Sequence, residues 1–230
     1  MKRGVFVTGT DTGVGKTVAC CALIHALRAA GVEVLPMKPI AAGAVERDGR
    51  RANEDSLALL DAAGADGSLL CDVTPILLRD AMAPHLAARH ENRVIALAPI
   101  AASLERLAAR RHFIVVEGVG GFKVPLGETL DTVDLARAIG FPLVLVVGMR
   151  LGCLNHALLT AESVGRSGLR LAGWIANAID PAMAAADENV AALEERLGAP
   201  LLGRLPHRAN PDPRSLAQHI DARALLEELE

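Results

Sequence analysis

No run of apolar residues in this 230-residue chain approaches the roughly twenty that a membrane-spanning helix needs. The amino terminus leads directly into a short apolar stretch instead of a cleavable leader, so the sequence predicts a cytoplasmic protein with no membrane partner. Nor is there an excess of charge of one sign. A net charge of −3 and an isoelectric point near 6.2 exclude the general electrostatic attraction that draws basic proteins to nucleic acid or to anionic lipid. Cysteine is scarce. Cys20, Cys21, Cys71 and Cys153 stand at none of the spacings used by metal centres or redox pairs, and small buried hydrophobes is the expected role of all four. No repeat, low-complexity tract or linker interrupts the sequence. What is present, 51% hydrophobic and 22% charged residues, suffices for a sizeable core and predicts one α/β domain over 1–230 whose partners are small molecules.

Short apolar, β-branched runs recur at 5–7, 32–37, 74–78, 113–116, 143–147, 171–176 and 201–205. Helix-length stretches at 16–30, 53–63, 99–110, 132–139, 154–167, 184–197 and 216–229 lie between most of them, with Gly31, Gly140, Gly168 and Gly198 placed as stops. The alternation predicts a mostly parallel central sheet of about seven strands flanked by helices on both faces. The run 143–147 is apolar throughout, as a strand bounded by water on neither side requires, and is expected at the centre.

Between the first run and the first helix stands Gly9-Thr10-Asp11-Thr12-Gly13-Val14-Gly15-Lys16-Thr17. Glycines let successive backbone N–H groups turn inward, and the helix that follows adds the positive end of its dipole where an anion rests. Lys16 reaches toward β- and γ-phosphates, and the Thr17 hydroxyl is a ligand for the magnesium ion that accompanies them. Five residues separate Gly9 from Gly15 where the general pattern has four, so the loop is a variant. Strand, glycine loop, Gly-Lys-Thr and helix in this order nevertheless predict a phosphate-loop nucleotide site and a phosphate-loop NTPase-like fold.

Ligands of such sheets lie beyond the carboxyl ends of the strands. There the sequence offers Lys38 beside the rigid Pro39, a cation able to neutralise a transferring phosphoryl group, and Glu117 ahead of Gly118-Val119-Gly120, placed as a magnesium-associated acid. Taken alone, a solvated surface lysine is the better reading of Lys38, and a turn is nearly as good a reading of Glu117 as a metal-associated acid. Asp55 opens a helical stretch, where capping and dipole compensation are its default roles.

These residues together resemble the dethiobiotin synthetase family over nearly the whole chain. The carriers are the phosphate loop, Lys38-Pro39 with Gly43, Val116-Glu117-Gly118 with Gly120-Gly121, Val146-Val147-Gly148, the specific block Leu151-Gly152-Cys153-Leu154-Asn155-His156-Ala157-Leu158-Leu159-Thr160, Ala172-Gly173-Trp174 with Ala176-Asn177, and Pro200-Leu201-Leu202-Gly203 with Leu205-Pro206. The resemblance implies an ATP-dependent ring closure from 7,8-diaminopelargonate and CO2 through a carbamate and a mixed anhydride. It implies ATP held by Gly13, Val14, Gly15, Lys16, Thr17 and Val18, by Asp55 and Glu117-Gly118-Val119-Gly120, and by Asn177-Ala178 and Pro206-His207-Arg208 around the base. Magnesium falls to Thr17, Asp55 and Glu117, directly or through water. Catalysis falls to Lys38 and Lys16. Substrate contacts fall to Thr12, Lys38 and Ala42, and to Leu151, Gly152, Cys153, Leu154 and Asn155, a segment the family donates across a homodimer interface.

Three positions depart from the family pattern. Ala42 replaces a small hydroxyl residue near the substrate, Gly13 replaces an acidic residue in the loop, and Lys123 stands where an apolar or small residue is expected and is read as a surface charge. His85 and His156 lack a metal-ligand partner at helical spacing and are read as supporting residues. The alternative is a switch ATPase of the kind that partitions plasmids or places division sites. Those proteins carry a second lysine early in the loop, where this chain has Asp11, and the acidic end Leu226-Glu227-Glu228-Leu229-Glu230 is the opposite of a basic membrane-targeting tail.

Overall fold

The chain, seen in a computed structural model that describes residues 3–47, 49–110 and 112–230, opens with β1 (Gly4–Gly9), α1 (Lys16–Ala29) and β2 (Val34–Met37). The short strands β3 (Ile40–Ala42), β4 (Val45–Arg47) and β5 (Arg50–Ala52) follow, then α2 (Glu54–Ala63), α3 (Leu70–Val73), β6 (Ile76–Leu78), α4 (Pro84–His90) and α5 (Leu97–Ala108). From there strand and helix alternate strictly through β7 (Phe113–Gly121), α6 (Thr132–Ile139), β8 (Leu143–Met149), α7 (Cys153–Arg166), β9 (Leu171–Ala178), α8 (Ala186–Glu194) and β10 (Leu201–Leu205), before α9 (Pro213–Leu216) and α10 (Ala222–Glu228).

Six strands form one sheet in the order β10-β9-β8-β1-β7-β2, parallel throughout. Alternation along each strand feeds two faces. Val5 and Val7 join Cys20, Leu23 and Leu27 of α1 on one side, while Phe6 joins Ile114, Val116 and helix residues such as Ile100 and Leu135 on the other. With helices on both faces the central strands leave no side to water, and every residue of β1 and β8 is buried, while the edge strand β10 keeps Arg204 exposed. Because all strands run one way, all their carboxyl ends share one edge, and the loops after β1, β2, β7, β9 and β10 meet there.

The run at 74–78 departs from expectation. Its strand part, β6, pairs in parallel with β3 in a separate two-stranded sheet, so the main sheet has six strands instead of about seven. Pro39 supplies the reason: without an N–H it cannot continue the ladder in which Met37 faces Val116, and the chain turns away from the sheet after Lys38. The Lys38 N–H instead donates to the Val73 carbonyl at 2.8 Å, and the Ile76 N–H donates to the Pro39 carbonyl at 3.2 Å.

The helix expected over 216–229 is broken as well. Asp212 caps α9 and Asp221 caps α10, and between them the Asp221 N–H donates to the Leu202 carbonyl of β10 at 2.7 Å, which holds Ile220 extended. The seven-residue α4, with Pro84 in its first turn, had no periodicity long enough to announce it. Cys20, Cys21 and Cys153 are buried as expected, whereas Cys71 is exposed.

Candidate functional site

The phosphate loop occupies residues 10–15 between β1 and α1. Gly15 is the N-cap of α1 at φ 76°, ψ 33°, in the left-handed region; among the described residues no side chain caps this helix and no acidic residue stands in its first turn. The first N–H groups of α1 and the positive end of its dipole are therefore left for an anion. Gly9 permits the other half of the arrangement. A Cβ there would come within 2.9 Å of the Lys16 ammonium, which folds back over the loop to lie 3.5 Å from the Asp11 carbonyl.

Register brings the acid and the second lysine alongside. In β7, Val116 pairs with Met37 of β2 and Glu117 pairs with Val7 of β1, so Glu117 sits between the phosphate loop and Lys38. One carboxylate oxygen, Oε1, accepts from Lys38 Nζ at 2.6 Å and from the Thr17 hydroxyl at 2.8 Å. Lys38 Nζ also lies 2.8 Å from Asp55 Oδ2. Lys38 and Glu117 are 5% and 1% exposed, so this is a desolvated pair whose attraction water does not screen. The half-exposed Asp55 contributes much less. Asp55 is not the helix cap; Asn53 is, accepting from the Asp55 and Ser56 N–H groups.

The same geometry fits a magnesium ion. Glu117 Oε2 is buried with no hydrogen-bond partner among the described residues, an acceptor waiting for a metal or a metal-bound water. With the Thr17 hydroxyl and the Asp55 carboxylate it makes an all-oxygen donor set, which suits a hard cation and not zinc. Among the described residues no group of three or more His, Cys, Asp or Glu side chains could hold a metal. Magnesium usually completes its shell with phosphate oxygens and water and does not require such a group.

A cleft of about 330 Å³ runs over these residues, lined by Thr12, Gly13, Gly15, Lys16, Thr17, Val18, Lys38, Ala42, Asp55, Glu117, Gly118, Val119 and Gly120. A smaller one of about 220 Å³ shares Gly15 and Val18 and continues between the ends of β9 and β10, lined by Asn177, Ala178, Ile179, Pro206, His207 and Arg208. Asn177 Nδ2 donates to the Val14 carbonyl at 2.8 Å, which ties the second cleft to the phosphate loop. Val14 itself is buried beneath the loop.

The segment Leu151-Gly152-Cys153-Leu154-Asn155 is not brought into either cleft. It follows β8 at the start of α7, where Gly152 caps the helix at φ 93° with no side-chain cap among the described residues. Leu151 is 96% exposed, Asn155 is exposed, and the Cys153 side chain packs into the core with Trp174. Lys123 is exposed, in keeping with a surface charge. His85 lies in α4 with a buried, unpartnered Nδ1 among the described residues, and His156 is half-buried in α7.

Two features escaped sequence reasoning. Asn53 joins α2 to the Ala42–Gly43 turn, and an Asn just ahead of Glu54-Asp55 was a legible cap signal. Arg150, next to Leu151, places Nη2 2.7 Å from Asp11 Oδ2 in the phosphate loop; no local pattern links those two residues.

A phosphate loop, a buried lysine–carboxylate pair and two adjoining clefts on one edge of a parallel sheet define a phosphate-loop NTPase-type α/β protein. The sequence matches a family described as "AAA domain" over residues 3–215. It is 53% identical over 218 residues to ATP-dependent dethiobiotin synthetase BioD of Aromatoleum aromaticum, covering 95% of this chain and 96% of that protein. With the protein of the same name from Ralstonia nicotianae it shares 50% identity over 221 residues, 96% of each chain. Among solved structures, a ParA family ATPase from Chlorobium tepidum TLS superposes with a TM-score of 0.54 at 18% identity, covering 100% of this chain and 95% of that one, a likeness of fold alone. The chain belongs to the dethiobiotin synthetase family.

Proposed function

We propose that this chain is an ATP-dependent dethiobiotin synthetase that closes the ureido ring of dethiobiotin from 7,8-diaminopelargonate and CO2. The observation that carries the reading is the Lys38 ammonium, buried at 2.6 Å from Glu117 and 2.8 Å from Asp55 beside an uncapped phosphate loop. Carbon dioxide adds to one amine to give a carbamate. A carbamate oxygen attacks the γ-phosphorus of ATP, ADP leaves, and the second amine attacks the carbonyl carbon and expels phosphate. Each amine gives up its proton, and the chain's work is to hold three anionic groups together and in line.

Lys16 holds the γ-phosphate and Lys38 bridges carbamate and phosphate. Val14, Gly15 and the N–H groups of Thr17 and Val18 cradle the phosphates, with Thr12 and Gly13 at the mouth. Gly118, Val119 and Gly120 line the opposite wall, Asn177 and Ala178 read the base from one side, and Pro206, His207 and Arg208 close it from the other. Magnesium, held by Thr17, Asp55 and Glu117, supplies charge neutralisation of the phosphates. At Ala42 the wall offers no hydroxyl, so a water takes that hydrogen bond.

The segment 151–155 serves a second copy of the chain in a homodimer. Leu151 at 96% and Leu159 at 57% exposure, with the half-buried Leu154 and Leu158, leave apolar surface along α7 for that partner to cover, and the uncapped Gly152 end of α7 suits the diamine's distal carboxylate. The whole chain acts as one cytoplasmic domain; among the described residues no helix is long and apolar enough to cross a membrane.

Incubation with ATP, magnesium, bicarbonate and 7,8-diaminopelargonate, followed by mass spectrometry, tests the reading. Diamine-dependent dethiobiotin with matching ADP is the expected result. ATP hydrolysis indifferent to the diamine, with no such product, overturns it and favours a switch ATPase.

The two lysines predict the alkaline side of the pH profile. Burial pushes Lys16 below its ordinary 10.5, with Glu117 opposing and Lys38 reinforcing. Burial also pulls Lys38 down, but Glu117 and Asp55 outweigh it, and the net shift is upward from 10.5. Lys38 therefore stabilises the fold fully below its unfolded value and loses that contribution only as pH rises through the higher folded one. Lys16 does the reverse: its charge costs stability until it deprotonates, and at that point a phosphate ligand is lost. Affinity for a fluorescent ATP analogue is expected to fall at a pH below 10.5 and to keep its affinity there in Lys16→Arg, whose guanidinium stays charged. The same fall in the arginine variant would assign it to another group.

A further inference from the structure

We infer that Asn53 is a positioning residue that fixes the diamine wall of the cleft against its metal-binding side. The inference rests on the synthetase reading above.

Asn53 is 7% exposed and uses both ends of its amide. Oδ1 accepts from the N–H groups of Asp55 at 3.1 Å and Ser56 at 3.4 Å, while Nδ2 donates to the carbonyls of Ala42 and Gly43, each at 3.2 Å. Capping α2 asks only for the acceptor, which Ser, Thr or Asp supplies equally well. The donor half is what asparagine adds, and it points at the segment that forms the substrate wall.

That segment, 38–43, is held to the first turn of α2 at both ends. Lys38 reaches Asp55 at one end, and Ala42 and Gly43 reach Asn53 at the other. Between them Gly43 turns at φ 86°, packed so closely on Ala81 that an added Cβ would lie 3.1 Å from its methyl. A shift of Ala42 relative to Asp55 therefore changes the gap into which the diamine fits, and with it the diamine's affinity.

A separate pair of contacts carries the fold. The Ser56 and Thr74 hydroxyls bond at 2.6 Å, and the Lys38 N–H bonds the Val73 carbonyl at 2.8 Å, so α2 and the start of the segment stay docked without the Asn53 donors.

Asn53→Ser keeps a capping oxygen and removes the donors. In steady-state assays against ATP and diamine varied separately, it is expected to raise KM for the diamine about tenfold while kcat, KM for ATP, the magnesium requirement and the melting temperature stay near wild type. Asn53→Asp also keeps the cap but sets a carboxylate against two carbonyl oxygens, and is expected to raise KM for the diamine further. An unchanged KM for the diamine in both variants overturns the inference, as does a parallel rise in both KM values with a lowered melting temperature, which marks a purely structural residue. If the wild-type protein makes no dethiobiotin, the functional reading fails first and takes the inference with it.

Discussion

Lys38→Ala is expected to slow ring closure by about a thousandfold while ATP still binds. In the proposed mechanism the charge that develops as a carbamate oxygen approaches the γ-phosphorus lies between two anions, and Lys38, a buried cation 2.6 Å from Glu117 and 2.8 Å from Asp55, is the group proposed to meet it. ATP keeps its own cation in Lys16, together with the first N–H groups of α1, so its affinity is expected to move by less than tenfold. The substitution also carries a stability cost. Glu117 is 1% exposed, and without Lys38 its Oε1 retains only the Thr17 hydroxyl. An unpaired buried carboxylate costs about 3–5 kcal/mol, with nearby Lys16 opposing part of it. Lys38→Met combined with Glu117→Gln removes both charges and keeps the volume, so it is expected to recover most of the melting temperature and none of the activity. Single-turnover product formation, calorimetric ATP titration and melting temperature of the two variants separate the effects. Ring closure within tenfold of wild type in Lys38→Ala would remove Lys38 from catalysis.

The lysine was visible in the sequence. Apart from Lys16 and Lys38 the chain's lysines are Lys2 and Lys123, every other cationic side chain being arginine or histidine. Scarcity alone does not mark a site, since Lys2 and Lys123 share it; Lys38 was singled out by its place directly after the second apolar run, beside Pro39, and by the family resemblance. The parallel sheet was equally legible, because burial on two faces forces apolar runs at regular spacing, and β8 and β10 were bounded closely by their own hydrophobicity. What could not be read was decided by partners distant in sequence. Nothing near 74–78 says that Pro39 will release β3 from the sheet and give β6 a partner outside it. At α2 the cap itself was legible, since Asn53 accepts from the Asp55 and Ser56 N–H groups next to it, but the carbonyls of Ala42 and Gly43 that take its Nδ2 donors lie ten residues or more earlier, and no local pattern announces them. The segment 151–155 is a third case: it is recognisable by resemblance, while within one chain Leu151 and Asn155 are exposed, Cys153 is in the core, and no side chain of the segment lines either cleft.

Gly15→Ala is expected to weaken ATP binding by about a hundredfold, and Gly13→Ala by about tenfold, the difference reporting one collision. Both glycines turn at φ 76°, where alanine pays about 1–2 kcal/mol. An empty loop can relax out of that strain and must re-enter it to hold phosphates, so the cost is read as lost affinity. Around Gly13 an added Cβ would find nothing within 4 Å. At Gly15 it would run into Nδ2 of Asn177, the group that bonds the Val14 carbonyl at 2.8 Å. Relief requires that the Gly15 backbone swing, turning the first N–H groups of α1 away from the anion site, or that Asn177 leave, losing a hydrogen bond of about 1 kcal/mol and moving the amide that lines the second cleft. Calorimetric titration of magnesium-ATP into both variants measures this directly. Equal losses would mean that strain alone acts and that Asn177 is free to move; a larger loss at Gly15 shows that the phosphate loop and the base cleft are one rigid unit, joined through that asparagine.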